Sequence, residues 1–371
     1  MKTTHKEEIY IKQDPFTDKI FDDNSIFFDI ETTGFSPAHT TCYLIGCARK
    51  NGSSVTVDQF FAESAEEEEL IIRSFLDLIE PYQTIISFNG IGFDIPYLKA
   101  KCTQYSLDEK FRSFQYIDIF KLISKMKFLF KLENYKQKTV ESFLGITRTD
   151  QYTGGDLINI YQEYVKFPDS KSRSLLLLHN YEDVLGMTDL IPLLSYMDFF
   201  QGNYAITGTE FCEYQDYKAE HKTEYIITMS LDCFVPKPVS CQTHGFYLNL
   251  SKDTAKLRVP VYHGELRFFY SNYKDYYYLP AEDIAIHKSV ASFVDKEFRQ
   301  KAKASNCYTR KEGEFLPQLS EIMKPAFRME CKDSISYFEI SNDFSASDIM
   351  LRRYVEHILL AFFPTDTQSN P

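Results

Sequence analysis

Two carboxylates separated by one apolar residue are the first place where this chain could do chemistry: Phe27-Phe28-Asp29-Ile30-Glu31-Thr32-Thr33-Gly34. In a β-strand alternate side chains share a face, so Asp29 and Glu31 project together while Ile30 turns to the core. Paired carboxylates at the end of a buried strand call for a cation between them, and hard oxygen donors select Mg²⁺ or Mn²⁺. A strand end with an acidic turn is the plainer explanation of this pair taken alone. Two further acids change the balance. Asp94 follows the turn Phe88-Asn89-Gly90, and Asp183 lies in His179-Asn180-Tyr181-Glu182-Asp183. Residues four apart share a helix face, so His179 and Asp183 point the same way. Four carboxylates beside an imidazole suit two divalent cations about 4 Å apart on a phosphodiester.

The elements that must position these groups follow from hydrophobic pattern and turn chemistry. Residues 25–30, 41–49 and 54–61 read as three antiparallel strands, the last two joined by the hairpin signal Asn51-Gly52. Glu66 to Glu69 open a helix whose apolar positions are Leu70, Ile71, Phe75, Leu78 and Ile79, acidic residues suiting a helix start. Thr84 to Phe88 is apolar without alternation, as in a strand covered on both faces. Asp94 opens a helix with Pro96 in its first turn. Tyr116-Ile117 is a short strand, and Asp118 caps a helix over 119–126 in preference to binding a metal. A helix near 138–144 stops at Gly145. Gly154-Gly155-Asp156 reads as a loop with a helix cap, or as a place where a substrate backbone approaches. Asp169 or Ser170 caps a long helix to about Met197. Strands followed by alternating helices and strands predict an α/β mixed sheet with helices on both faces.

Beyond residue 201 the texture becomes aromatic-rich, with strands expected at 224–229, 245–250, 265–270 and 276–279 and helices at 285–304 and 345–363. The expected organisation is an N-terminal arm or edge element (1–23), an α/β domain (24–200) and a second α+β domain (201–371), since 371 residues exceed one ordinary core. Eight scattered cysteines without a CxxC pair fit reduced thiols in the cytoplasm. No apolar run nears the roughly 20 residues of a membrane helix, and the first residues lack an apolar signal core. A net charge of −12 taken alone argues against a nucleic-acid partner. It counts metal-binding acids as uncompensated, however, and it hides the segment Lys288 to Lys311, with seven Lys/Arg against Asp295 and Glu297.

The motif Phe28-Asp29-Ile30-Glu31-Thr32-Thr33-Gly34 resembles the first signature of the four-carboxylate (DEDD) 3′–5′ exonucleases of the ribonuclease H-like superfamily. Phe88 to Leu98 is similar to their second signature, including the form in proofreading domains of family B polymerases, and His179 to Asp183 matches the third in position. Cys42-Tyr43-Leu44-Ile45-Gly46, Thr139 to Ile146 and Gly154-Gly155-Asp156 look most like the YprB-type predicted exonucleases. The resemblance covers about residues 24–198. It implies a ribonuclease H-like fold, Asp29, Glu31, Asp94 and Asp183 as ligands of two Mg²⁺ or Mn²⁺, and removal of nucleotides from a single-stranded or frayed 3′ end of DNA or RNA. One position departs from the family, whose members carry Y-x3-D or H-x4-D. Here His179 has the tyrosine spacing, and with an ordinary pKa of about 6.5 it would serve as general base. Tyr181, its rival, lies on another helix face.

Secondary candidates each keep two readings. Asn89 contacts substrate or makes an Asn-Gly turn. Phe93 stacks on a terminal base or packs in the core. Thr32 and Thr33 meet the nucleotide end or shape a loop. Lys296, Arg299 and Lys303, with Lys288, Lys301, Arg310 and Lys311, line phosphates beside Tyr276, Tyr277, Tyr278 and Tyr308, or form a solvated helix face. His263 and His287 show no ligand spacing and read as structural. An inactive nucleic-acid-binding module and a structure-specific endonuclease are the alternative functions.

Overall fold

The run Ser25-Ile26-Phe27-Phe28 is buried on both faces and begins β2 (Ser25–Thr32), an interior strand of a six-stranded sheet ordered β1-β4-β3-β2-β5-β6. The computed structural model describes residues 1–9 and 14–363. Among the described residues the chain divides into two compact units, one within Met1–Gln201 with Cys233–Lys237, the other Gly202–Asp232 with 238–363.

In the first unit β2 pairs antiparallel with β3 (Cys42–Asn51), β3 with β4 (Ser54–Phe61), and β4 with β1 (Lys2–Ile9). The expected meander is present, and Gly52 supplies the positive φ (+60°) of its hairpin turn. β5 (Thr84–Ser87) and β6 (Gln115–Asp118) add in parallel. The helices are α1 (Pro15–Ile20), α2 (Glu68–Ile79), α3 (Asp94–Tyr105), α4 (Ile119–Ser124), α5 (Lys127–Phe130), α6 (Gln137–Leu144), α7 (Gly154–Lys166), α8 (Ser170–Leu190) and α9 (Leu194–Phe200). Ile26, Phe28, Ile30 and Ile45 pack with Phe75 of α2 and Leu98 of α3. A second cluster joins Tyr43 and Phe61 to Tyr161 and Tyr164 of α7 and Leu176 of α8. Tyr43 and Tyr161 stack with ring centres 4.1 Å apart. The unit is thus the α/β mixed sheet that the element order predicts.

Two elements differ from expectation. The long helix ends at Leu190 and resumes as α9, because Pro192 cannot continue the amide ladder. Gly154-Gly155-Asp156 is the first turn of α7, where Thr153 and Asp156 close a capping box.

The second unit is β-rich and aromatic. β7 (Tyr204–Gln215), β8 (His221–Thr243) and β9 (Phe246–Pro260) form one sheet, while β10 (Tyr262–Phe269), β14 (Tyr308–Gln318) and β15 (Ser336–Glu339) form another. β11 (Tyr276–Leu279) pairs with β12 (Ile284–His287) and with the two-residue β13 (Gln300–Lys301) in a third. α10 (Lys288–Ala291), α11 (Asn342–Ala346) and α12 (Asp348–Leu360) complete it. The helix expected over 285–304 is replaced by β12, the single turn α10 and β13. Ile284-Ala285-Ile286 follows the strand period of two, with Ala285 buried against Tyr276 and Tyr278.

Candidate functional site

β2 brings Asp29 and Glu31 to one end of the sheet. Between them, the backbone N–H of Ile30 donates to Asp94 Oδ1 at 3.3 Å, which places the first residue of α3 against the strand. α8 lies over β2 and β3 and delivers the third segment. Asn180 Nδ2 donates to Asp29 Oδ2 at 3.2 Å, and Gln59 Nε2 donates to Asn180 Oδ1 at 3.0 Å. This approach requires Gly46, which sits opposite Asp29 on β3: a Cβ there would lie 2.1 Å from Asn180 Oδ1. The glycine in the middle of an apolar strand was the available signal for such a contact.

His179 and Asp183 meet as the four-residue spacing requires. His179 Nε2 lies 3.0 Å from Asp183 Oδ2 and 3.6 Å from Glu31 Oε1, and its Nδ1 lies 2.6 Å from Asp150 Oδ2. One ligand atom from each of Glu31, His179 and Asp183 falls within 4.8 Å of the others. Lys138 Nζ also binds Asp150, at 2.8 Å, and Glu182 accepts from the amides of Thr149 and Asp150 at 3.0 and 2.9 Å. Asp183 Oδ1 accepts from Arg148, whose guanidinium also grips both oxygens of Glu141. Asn180, Asp150, Arg148 and Glu141 are the residues that sequence reasoning missed. The last three act through contacts 7 to 35 residues apart, which no local pattern encodes.

The electrostatics reflect this crowding. Burial, then the charges of Asp94, Glu31 and Asp183, push the Asp29 carboxyl well above its ordinary range. Burial raises Glu31 to about 8, against the pull of His179. Asp94 rises to about 7 through burial, opposed by backbone amides. Burial would lower His179, but Asp183, Glu31 and Asp150 outweigh it and take the imidazole to about 9. The ordinary imidazole pKa expected from sequence is therefore corrected: three carboxylates surround the ring. Burial would raise Asp183, yet His179 and Arg148 hold it below the usual carboxylate range. Oxygen donors whose ionisation is suppressed by burial, and at Asp29 and Glu31 also by neighbouring carboxylates, fit a divalent cation, which would offset that cost. Glu31 and Asp183 are the carboxylates of the close group, and Asp29 and Asp94 are the further carboxylates that could hold it.

The remaining candidates are distributed as follows. Thr32 Oγ1 donates to the Gly34 carbonyl at 2.8 Å, and Thr33 Oγ1 accepts from the Thr41 amide at 2.9 Å, so both hydroxyls have partners inside their loop. Asn89 holds a positive φ of 67° and its amide donates to Asp118 Oδ1 at 3.0 Å; Asp118 also caps α4. Phe93 is half-buried between Tyr97 and Phe35, whose ring centres are 5.6 and 5.8 Å away. Phe35 itself is 88% exposed and was not foreseen. Tyr181 turns away to Glu8, 2.7 Å from its hydroxyl, and Lys6.

In the second unit Lys296, Arg299 and Lys303 share a segment that is mostly exposed. Arg299 sits 4.9 Å from the Tyr277 ring centre and donates to the Ala291 carbonyl. The expected basic stripe is shorter than the sequence implies, because Arg310 and Lys311 lie on β14 in ion pairs with Glu265 and Glu339. His263 lies 3.4 Å from Glu314, and His287 caps α10.

Comparison with known proteins finds a family match in one region. Residues 26–195 match the family model described as the RNase_H superfamily. No curated protein matches the sequence. Among solved structures, the chain is similar to the family B DNA polymerase of the hyperthermophilic archaeon Pyrobaculum calidifontis, with 17% identity and a TM-score of 0.37, covering 68% of this chain and 35% of that one. It is also similar to E. coli Exonuclease I in complex with a dT13 oligonucleotide, with 11% identity and a TM-score of 0.33, covering 56% of this chain and 54% of that one. The chain therefore spans about a third to a half of the length of these structures. Among the described residues no helix is long and apolar enough to cross a membrane. From its sheet order and the matched family model, the segment 26–195 is a ribonuclease H-like domain.

Proposed function

We propose that this chain is a metal-dependent nuclease, a 3′–5′ exonuclease acting on a single-stranded or frayed end of DNA or RNA, of the DEDD type and nearest in motif to the YprB-type enzymes. The observation that carries the proposal is the gathering of Asp29, Glu31, Asp94 and Asp183, from three separate segments, around Asn180 and His179. Mg²⁺ or Mn²⁺, bound as a pair by these carboxylates, would supply Lewis acidity to the phosphodiester and lower the pKa of the attacking water.

The chain's own residues do the rest. Asn180 fixes the orientation of Asp29, and the Ile30 amide fixes that of Asp94. Asp150 holds Nδ1 of His179, so Nε2 is the nitrogen turned to the carboxylates. As general base, His179 must first shed the proton that Asp183 and Glu31 favour; compensating those two charges is what lowers its pKa into the working range. Phe35 and Phe93 lie beside the first motif and offer a surface for a terminal base. In the second unit, Lys296, Arg299 and Lys303 would contact nucleic-acid phosphates.

A second reading has a specific observation in its favour. Both oxygens of Asp183 already have cationic partners, Arg148 and His179, as a nucleic-acid-binding protein without hydrolytic activity would allow. Digestion of end-labelled single strands in Mn²⁺ or EDTA separates the two. Loss of nucleotides from the 3′ end, in Mn²⁺ only, with a circular single strand left intact, is the expected result. Cutting of the circle would establish an endonuclease, and no digestion in Mn²⁺ would overturn the proposal.

A further inference from the structure

Glu141 is 1% exposed and Arg148 8% exposed at their side chains, and Arg148 grips Glu141 with two nitrogens. A third nitrogen reaches Asp183 Oδ1. The pair is net neutral, with its cationic end on Asp183. Its geometric effect is large. Gln137, on the same helix as Glu141, bridges Glu141 Oε1 at 2.9 Å and the main-chain carbonyl of Asp183 at 2.7 Å. Asp183 is therefore tied to α6 and the loop after it through both backbone and side chain. Gly186, one turn further along α8, makes room for the assembly: a Cβ there would lie 2.5 Å from Glu141 Oε1 and 3.6 Å from Arg148 Nη2. With Oδ1 engaged, Oδ2 is the oxygen that shares the His179 nitrogen with Glu31.

We propose that the buried Glu141–Arg148 pair, seated on Gly186, is a positioning unit that holds Asp183 with Oδ1 locked away and Oδ2 alone presented to a divalent cation. The inference rests on the four-carboxylate site proposed above. It assigns Glu141, Arg148 and Gly186 to cation binding, although none of them touches the cation. Groups that orient a metal ligand typically contribute 10–100-fold to affinity.

The test is Mn²⁺ binding to the full-length protein, read as free Mn²⁺ by electron paramagnetic resonance, with circular dichroism confirming the fold. Glu141→Gln/Arg148→Gln removes the pair with no change in net charge. Gly186→Ala alters no polar atom and pushes the pair aside. Both folded variants should bind Mn²⁺ at least about tenfold more weakly than wild type. Wild-type affinity in either folded variant overturns the positioning role alone. Absence of Mn²⁺ uptake by the wild-type protein overturns both this inference and the carboxylate site on which it rests. Should the double variant fail to fold, Gly186→Ala decides the matter, since alanine is favoured over glycine inside a helix.

Discussion

Raising the pH in the absence of divalent cations should destabilise the first unit, and Mg²⁺ should reverse the loss. The carboxyl of Glu31 rises from 4.5 to about 8, that of Asp94 from 3.8 to about 7, and the imidazole of His179 from 6.5 to about 9. All three therefore keep protons in the folded protein at pH values where the unfolded chain has released them. Their contribution is intact below the unfolded pKa values and is lost progressively as pH climbs from there through the folded values, about 7 to 9. Asp183 and Asp150 are held low, so their changes fall at acidic pH, outside this window. Each pKa unit corresponds to about 1.4 kcal/mol. The three groups neighbour one another and local relaxation softens each penalty, so a combined loss of at least about 3 kcal/mol is the working figure. For a unit of this size that is roughly 6–12 °C in Tm. A cation that binds only the folded, ionised cluster adds about 2.7 kcal/mol at 100 times its Kd. Thermal unfolding followed by circular dichroism from pH 5.5 to 9, in EDTA and in Mg²⁺, measures both effects. The expected profile falls with pH in EDTA, with a Mg²⁺ increment larger at pH 9 than at pH 5.5. A flat EDTA profile, or an equal increment at both ends, would refute the crowded-carboxylate account.

Four further outcomes are expected. Asp29→Ala and Asp183→Ala should each reduce Mn²⁺-dependent digestion to background while leaving the circular dichroism spectrum unchanged; a fully active variant would remove that residue from the ligand set. His179→Ala should slow digestion by about 10²–10⁴-fold and Asp150→Asn by about tenfold or more, each with a displaced pH–rate profile. Gly46→Ala, whose Cβ meets Asn180 Oδ1 at 2.1 Å and Val184 Cγ2 at 2.8 Å, should cost about 1–3 kcal/mol in denaturant unfolding and weaken digestion with it. Replacing Lys296, Arg299 and Lys303 together by alanine should weaken binding of a single-stranded oligonucleotide in EDTA and flatten the log Kd against log salt slope by about 2.

The first unit is legible in sequence because its signals are local. Alternation around Asp29, the Asn51-Gly52 turn and the 179/183 spacing each involve neighbours along the chain, and each appears where expected. What stayed hidden depends on distant partners. The acid of Asp150 reaches His179 across 29 residues, and Arg148 reaches Asp183 across 35; both come from a loop with no periodic pattern. Part of the imidazole pKa is hidden for the same reason: beyond Asp183 on its own helix, Glu31 and Asp150 from distant segments also raise it. In the second unit the misread segment 285–304 mixes alanines, charges and aromatics in numbers that suit a helix. The ladder to Tyr276–Leu279 overrides that propensity, because tertiary pairing outweighs weak local preference.

The outermost strand has a consequence for handling the protein. β4 is buried along nearly its whole length, with Val55 to Phe61 closed to solvent, and β1 pairs with it residue for residue from Lys2 to Ile9. Stripping those residues would bare a long, flat row of amides and carbonyls, a template on which another polypeptide can dock. Lys2, His5, Lys6, Glu7 and Glu8 give the present rim charge and exposure. An exposed, charged rim of this kind disfavours edge-to-edge pairing, so deletion of Lys2–Ile9 should promote self-association, which size-exclusion chromatography would measure.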